Sequence, residues 1–541
     1  MHPKDQDPEN HSAASDRETL SSPERRDLMK LMGAGALVSS LPAGKAAAQQ
    51  APPRPPGPPP PYAMRNPGDV APFTGTGYKN DYNRLGQNGP MDDTTQKIVK
   101  WVHGFKESDM TPAAISQFNL TMVDSLAAIF ASFEEEPVRI AANLATLSPA
   151  GKYKCTVLGY GVETTPELAT FANGVLIRCV DFNDSVDTGN HVSTLIPAAM
   201  AIGEAFHCTG AQVRQAISIG YELASAPAGG ESVVAAMVAG RLMGLDEDRL
   251  ANALTIALTP HVALNKGVGA MSMWKGVRSA ESAKCGVWAA MMAHAGMTGP
   301  PQPFEGRGGL WSTQGIGTSG NGIGREFTLP LKPVGLAMER NWFKRRPAEA
   351  GSQEILVMMP EIRSWVKPEE IASIHWDTPM NHDWEEICDA PKWDPRNRET
   401  ADHSLPYIIA RALIDGDIYL DSFTEEKFMD PVARALMDKT TVSPVLNGWI
   451  SLGSGRMTIT KKSGESKYWD AYRGIRAPQT EDYPSMNAEQ IKEKFYRVSA
   501  YRHVANTQRD QAYKVWSDIG SLKDFKEAVV MLAKFGQPKP L

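Results

Sequence analysis

The chain has 541 residues, 42% of them hydrophobic and 22% charged, with 62 acidic against 56 basic side chains and a pI near 6.1. That apolar content excludes a disordered protein, the charge balance excludes a dedicated nucleic-acid binder, and no run of about 18 apolar residues points to an integral membrane protein. The five cysteines, at 155, 179, 208, 285 and 388, lie at least 24 residues apart. This removes CxxC redox, zinc-ribbon and sequential iron–sulfur spacings and leaves a large globular protein of about two domains.

At the N-terminus, Arg25-Arg26 is a twin-arginine pattern. A Gly- and Ala-rich apolar stretch from Leu31 to Leu41 follows, then Ala46-Ala47-Ala48. That order reads as a twin-arginine export signal over 1–48 and predicts a bacterial periplasmic protein that folds before export. Residues 51–61 hold eight prolines in eleven, a polyproline II spacer within a linker over 49–90.

From about 94 to 300 the pattern is helical. Thr111-Pro112 reads as an N-cap followed by proline at the first helical position. Ile115, Phe118, Met122, Leu126 and Ile129 then recur at spacings of three and four. Gly244 ends one helix, Asp246 caps the next, and Gly296 closes a helix running from about 278. Between about 331 and 480 the texture turns to β, with runs at Ile371–Trp376 and Met457–Thr460. The second run leads into a hairpin-like turn at Lys462-Ser463-Gly464-Glu465. Helical pattern returns from about 487. The order predicts a mainly α protein: a large all-helical domain formed by both ends of the chain (91–330 and 484–541) with an inserted smaller α+β domain (331–483).

Most familiar catalytic motifs fail. Gly315-Ile316-Gly317-Thr318-Ser319-Gly320 fits G-x-G-x-x-G but neither follows a strand nor opens a helix, so it reads as a loop. One segment stands out: Asp181-Phe182-Asn183-Asp184-Ser185-Val186-Asp187-Thr188-Gly189-Asn190-His191. It places three carboxylates and an imidazole within eleven residues after an apolar helix. Carboxylates flanking a histidine fix its tautomer and raise its basicity, as a general base requires. A solvated inter-helix loop whose acids cap the next helix explains the same composition. The cations form separate groups: Lys275 in Trp274-Lys275-Gly276, just before a helix start, and Lys344-Arg345-Arg346. A further polar cluster runs from Asn397 through His403 to Tyr407. Lysines and arginines converging on a pocket would bind a di- or tricarboxylate.

Together these segments resemble the MmgE/PrpD family, which includes 2-methylcitrate dehydratase, cis-aconitate decarboxylase and related epimerases. The resemblance covers about 95–535. It rests on FANGVLIRCVDFNDS, HVSTLIPAAMAIGEA, GYELA, RLMGLDEDRLANALTIALTPHVAL, SMWKG, GMTGPPQPFEG, NRETADHSLPYIIARALIDG and VANTQRDQA, in that order. It implies a helical domain with a smaller α+β lid, an active site between them, a homodimer, and acid/base chemistry without cofactor or metal. Carried over residue by residue, Asp181 and His191 match the family's catalytic aspartate and histidine, and Asp184 falls in its D-F-[DN]-D pattern. Lys275 matches a lysine at the substrate pocket, Lys344 the lysine at the start of the lid, and Tyr407 the tyrosine of the lid motif. His403 stands one helical turn before Tyr407.

Two departures are visible. His191-Val192-Ser193 replaces the family's His-Pro-Ser. The usual second active-site histidine after GYE is missing, since no histidine lies between His207 and His261. His261, His403 or Tyr407 would have to take its place.

The resulting expectation is a cofactor-independent lyase that dehydrates a 2-methylcitrate-like hydroxy acid. Lys275 and Lys344, helped by Arg345 or Arg346, would hold carboxylates. His191, oriented by Asp181 or Asp184, would move the proton, and His403 or Tyr407 would protonate the leaving hydroxyl. Decarboxylation or epimerisation of a related polycarboxylate is the alternative on the same constellation. A catalytically silent periplasmic binding protein is the alternative of another class.

Overall fold

A computed structural model describes residues 91–186, 191–261, 269–305, 309–310, 327–333, 335–379, 386–445, 456–470 and 486–536. The twin-arginine segment, the proline-rich spacer, Asp187 and the Gly315–Gly320 motif lie outside the described residues.

The described chain is mainly α-helical. Its first long helices are α1 (Asp93–Gly104), α2 (Pro112–Ser132) and α3 (Glu136–Ala145). At α2, Thr111 accepts from the Ala114 amide and Pro112 occupies the first turn, as the sequence predicts. Such a cap contributes about 1 kcal/mol. This helix is long and apolar enough to span a bilayer, yet Phe118, Met122, Leu126, Ile129 and Phe130 on it are fully buried in the protein's own core.

A short antiparallel pair follows, β1 (Cys155–Val157) with β2 (Val162–Thr164). Then come α4 (Pro166–Arg178), the two-residue strand β3 (Ser185–Val186), α5 (Ile196–Ala205), α6 (Gly210–Ser225), α7 (Glu231–Leu242), α8 (Glu247–Leu258) and α9 (Trp274–His294). Gly244 and Gly296 adopt positive φ just past α7 and α9, and Asp246 caps α8 by accepting from the Arg249 amide.

Lys275 departs from expectation here. It lies in the first turn of α9 rather than ahead of a helix. The neighbouring glycine sits inside the helix, where close packing requires it. A Cβ on Gly276 would stand 3.0 Å from the Cα of Cys179, and one on Gly174 would stand 2.7 Å from the Cβ of Ala280. Bare glycine surfaces on α4 and α9 therefore let the two helices approach. That approach brings the C-terminal end of α4 beside the start of α9.

Strand β4 (Asn341–Trp342) pairs antiparallel with β3, Ser185 opposite Trp342 and Val186 opposite Asn341. Beyond it, α10 (Gln353–Trp365), β5 (Ile371–Pro379), α11 (Arg398–Ala401), α12 (Leu405–Asp415), α13 (Glu425–Phe428), α14 (Pro431–Met437), β6 (Thr440–Val445), β7 (Arg456–Lys461) and β8 (Ser466–Asp470) follow. The four strands form one sheet in the order β6-β5-β7-β8. β5 runs parallel to β6 and antiparallel to β7, and β7–β8 is the hairpin the sequence predicts, with Gly464 at positive φ.

Helices α15 (Ala488–Tyr501), α16 (Asn506–Trp516) and α17 (Lys526–Val530) return to the first body of helices. The Phe130 ring packs at a tilt against those of Phe495 and Phe535, so α2 and the C-terminal helices share one core. A second core gathers Ile355, Met359, Ile374, Trp376, Ile409, Leu413, Met457 and Trp469 within the sheet-containing segment.

Candidate active site

Helix α4 delivers Arg178 at its C-terminal end, and the chain then turns sharply. Asp181 takes up φ +55°, a left-handed conformation that costs a non-glycine residue about 1 kcal/mol or more. Its carboxylate holds that turn in place. Arg178 Nη1 donates to Asp181 Oδ1, and Lys344 Nζ donates to Oδ2 at 2.6 Å and to the Asp181 carbonyl at 3.2 Å. All three side chains are buried. The β3–β4 pairing supplies the geometry: it fixes Ser185 opposite Trp342, two residues before Lys344. Burial, reinforced by repulsion from Arg178, holds the Lys344 ammonium well below the usual lysine range. Burial also lowers Arg178 to about 10.

Asp184 faces another way. Its carboxylate accepts from the Ser193 amide at 3.2 Å and from the Tyr221 hydroxyl. Burial pushes the Asp184 carboxyl up, against the hydrogen bonds that favour its charged form. The backbone carbonyl of Asp184, not its side chain, meets His191 Nδ1 at 2.8 Å. A carbonyl can only accept, so Nδ1 carries the proton and Nε2 is the basic nitrogen of the neutral ring. Of the two expected orienting residues, Asp184 thus holds His191, through its backbone carbonyl rather than its carboxylate. The Asp181 carboxylate is taken by two cations and that of Asp184 by Tyr221 and Ser193.

A second buried node centres on Asp402. Lys275 Nζ donates to its two oxygens at 2.6 and 2.7 Å, Arg398 Nη1 to Oδ2 at 3.0 Å, and His403 Nδ1 to Oδ1 at 2.6 Å. The carboxylate fixes the His403 tautomer with Nδ1 protonated, and Nε2 stands 3.9 Å from Glu386. Burial lowers Lys275, and the Asp402 charge works in the opposite direction. Contacts from segments distant in sequence seat this node. The Glu349 amide donates to the Asp402 carbonyl at 2.9 Å, and Thr400 Oγ1 accepts from the Met271 amide at 3.0 Å. The Asp402 field also acts on Arg178, which couples the two nodes electrostatically.

The structure therefore brings Asp181, Lys344, Lys275 and His403 into two neighbouring buried clusters and holds His191 against the Asp184 carbonyl, three residues past Asp181. It pairs both lysines with carboxylates of the protein, where the sequence reading kept them for substrate alone. Arg345 is set differently: its amide donates to Gln353 Oε1 and its Nη2 reaches Gln490 at 3.4 Å. Arg346 pairs with Asp417 at 2.6 Å. Tyr407 is fully buried in the second core, and its hydroxyl donates to the Ser422 carbonyl. Its hydroxyl hydrogen is thus committed within that core. His261 Nδ1 binds the Ala257 carbonyl of its own helix end.

Sequence reasoning missed Arg178 and Asp402 as partners. Both lie inside motifs it singled out. The available signal was a charged residue in an apolar run, GVLIRCV for Arg178, since a buried charge needs a partner. Among the described residues, no group of three or more His, Cys, Asp or Glu side chains has the arrangement of a metal site. Arg178, Lys275, Lys344 and Arg398 face Asp181 and Asp402, with Glu135 against Arg398 and Glu386 near His403. A small anion with several carboxylates suits such a cluster.

Comparison with known proteins finds several relatives. The human cis-aconitate decarboxylase is 22% identical over 487 residues, covering 83% of this chain and 96% of that protein. The cis-aconitate decarboxylase-like protein oryM of Aspergillus oryzae is 24% identical over 398 residues, 65% of this chain and 80% of its own length. The cis-aconitate decarboxylase of Aspergillus terreus is 23% identical over 381 residues, 61% and 74% respectively. The MmgE/PrpD N-terminal domain model matches residues 96–318 and the C-terminal domain model residues 347–518. The chain belongs to the MmgE/PrpD family.

Proposed function

We propose that the protein is a lyase that moves a proton at a carbon adjacent to a carboxylate in a small polycarboxylic acid. One observation carries the reading: Arg178, Lys275, Lys344, Asp181 and Asp402 form a buried cluster, and the Asp184 carbonyl, three residues past Asp181, holds His191 as the Nδ1–H tautomer. Cations around a substrate carboxylate stabilise the negative charge that develops when the neighbouring C–H or C–C bond breaks. His191 Nε2 takes or returns the proton.

Two outcomes fit. In decarboxylation the C–CO₂ bond breaks, its electron pair spreads into a conjugated carboxylate, and a proton then adds to carbon. The relatives' printed names support this reading for an unsaturated tricarboxylate resembling cis-aconitate. In dehydration a C–H proton leaves to a base while a second group protonates the departing hydroxyl. The observation favouring it is a second imidazole, His403, held against a carboxylate while His191 is held against a neutral carbonyl. Two proton-transfer groups in different settings are what an elimination needs.

The test is incubation of the protein with cis-aconitate, citrate and 2-methylcitrate, with released CO₂ and product mass followed together. CO₂ supports decarboxylation, and loss or gain of water without CO₂ supports dehydration. Binding of these acids without any conversion overturns the lyase reading in favour of a silent binding protein. The Arg25-Arg26 leader supports a periplasmic site of action, tested by fractionating cells that express the protein with and without Arg25→Lys/Arg26→Lys.

A further inference from the structure

Helix α15 contributes a buried cation that the chemistry above does not use. Lys494 Nζ has three N–H bonds and three acceptors: Asp124 Oδ1 at 2.6 Å, the Phe182 carbonyl at 2.7 Å and the Lys344 carbonyl at 3.0 Å. It also lies 3.9 Å from the centre of the Phe182 ring. Asp124 comes from the middle of α2 and is fully buried.

The two carbonyls are the informative part. Phe182 adjoins Asp181, whose backbone is in the left-handed conformation, and Lys344 is the lysine whose side chain grips Asp181. A single ammonium thus binds the main chain on both sides of the Asp181–Lys344 ion pair. A structural ion pair would need only Asp124. Satisfying the other two N–H bonds with these two carbonyls ties an α2–α15 helix contact to the registration of the site. From this we infer that Lys494 is a positioning residue for the reaction: it sets the separation of Asp181 and Lys344 and does not touch substrate. The inference rests on the lyase reading for its kinetic part alone.

Burial raises the Asp124 carboxyl to about 6 even with Lys494 beside it, so deleting the lysine alone would strand an acid and risk the fold. The test therefore uses the double variant Lys494→Met/Asp124→Ala, which removes both charges at once. Two readouts are taken on the full chain: amide hydrogen exchange by mass spectrometry, and kcat and KM for whichever acid is converted. The expected result is faster exchange in peptides spanning 181–186 and 341–346, with α2 and α15 still protected. It is joined by a fall in kcat of about 10–100-fold with KM little changed, since a misplacement of about 1 Å costs rate on that scale. Unchanged exchange in both segments overturns the inference. So does faster exchange with wild-type kcat. If the unmodified protein converts none of the acids, the lyase reading falls, and exchange alone decides whether Lys494 fixes the two segments.

Discussion

Asp402 is the side chain on which the second node depends, so its removal gives the sharpest energetic forecast. The carboxylate is fully buried and accepts from Lys275, Arg398 and His403. Asp402→Ala leaves Lys275, which is 2% exposed, without its counter-charge. Breaking a buried pair from one side costs about 3–5 kcal/mol, against at most about 1 kcal/mol for an exposed pair. Part of that cost is recoverable, because burial already lowers Lys275 and the stranded amine can lose its proton. The assay is chemical denaturation of the single variants Asp402→Ala and Lys275→Met and of the double variant, read as a thermodynamic cycle. We expect Asp402→Ala to be the most destabilised of the three and the double variant to regain at least about 1 kcal/mol, with a coupling above about 1.5 kcal/mol. A loss below about 1 kcal/mol for Asp402→Ala, with additive singles, would refute the reasoning, because the carboxylate would then be behaving as a solvated surface acid.

Three further outcomes follow from the same geometry. His191→Ala should lower kcat by about 10²–10⁴ while thermal stability stays near that of the parent, since the ring is only partly buried; unchanged kcat would take His191 out of the mechanism. Tyr407→Phe should leave kcat within a few-fold and cost about 1 kcal/mol of stability, because its hydroxyl serves the Ser422 carbonyl; a large kcat loss at full stability would return Tyr407 to the chemistry. For Lys344 the lowered pKa makes two slopes oppose each other. Between that depressed value and the ordinary lysine value of 10.5, the unfolded chain binds more protons than the folded one, so the group's contribution to stability rises with pH. Over the same window the site loses a cation, so kcat/KM for a polycarboxylate should fall. Lys344→Met should remove that alkaline limb, and a limb that persists unchanged in the variant would assign it elsewhere.

The sequence made local features legible and left long-range ones hidden, for a physical reason. Thr111-Pro112, Asp246, Gly296 and the Lys462–Glu465 turn act through backbone geometry within a few residues, and each appears where its chemistry predicts. The strands at Ile371 and Met457 were visible as β-type runs, but the parallel partner Thr440–Val445 was not, because parallel pairing joins segments far apart in sequence. The sequence alone puts Lys275 just ahead of a helix, and the close approach of Cys179 that requires a glycine at 276 comes from a segment far earlier in the chain. At the site, the motif residues were visible but their partners were not. Nothing adjacent to Lys275 signals Asp402, 127 residues later, and nothing near Asp124 signals Lys494, 370 residues later. A buried charge announces that it needs a partner, and only the fold says which one.

In the proposed chemistry His191 exchanges a carbon-bound proton of a polycarboxylate held in the Arg178–Lys275–Lys344 cluster. Turnover in D₂O tests it most directly, with mass spectrometry of the acids recovered from the parent protein and from His191→Ala. The account predicts carbon-bound deuterium in the parent's product or equilibrated substrate, little or none with His191→Ala, and the same parent result after treatment with a metal chelator. Decarboxylation without deuterium in the product, or equal uptake by the variant, would contradict it.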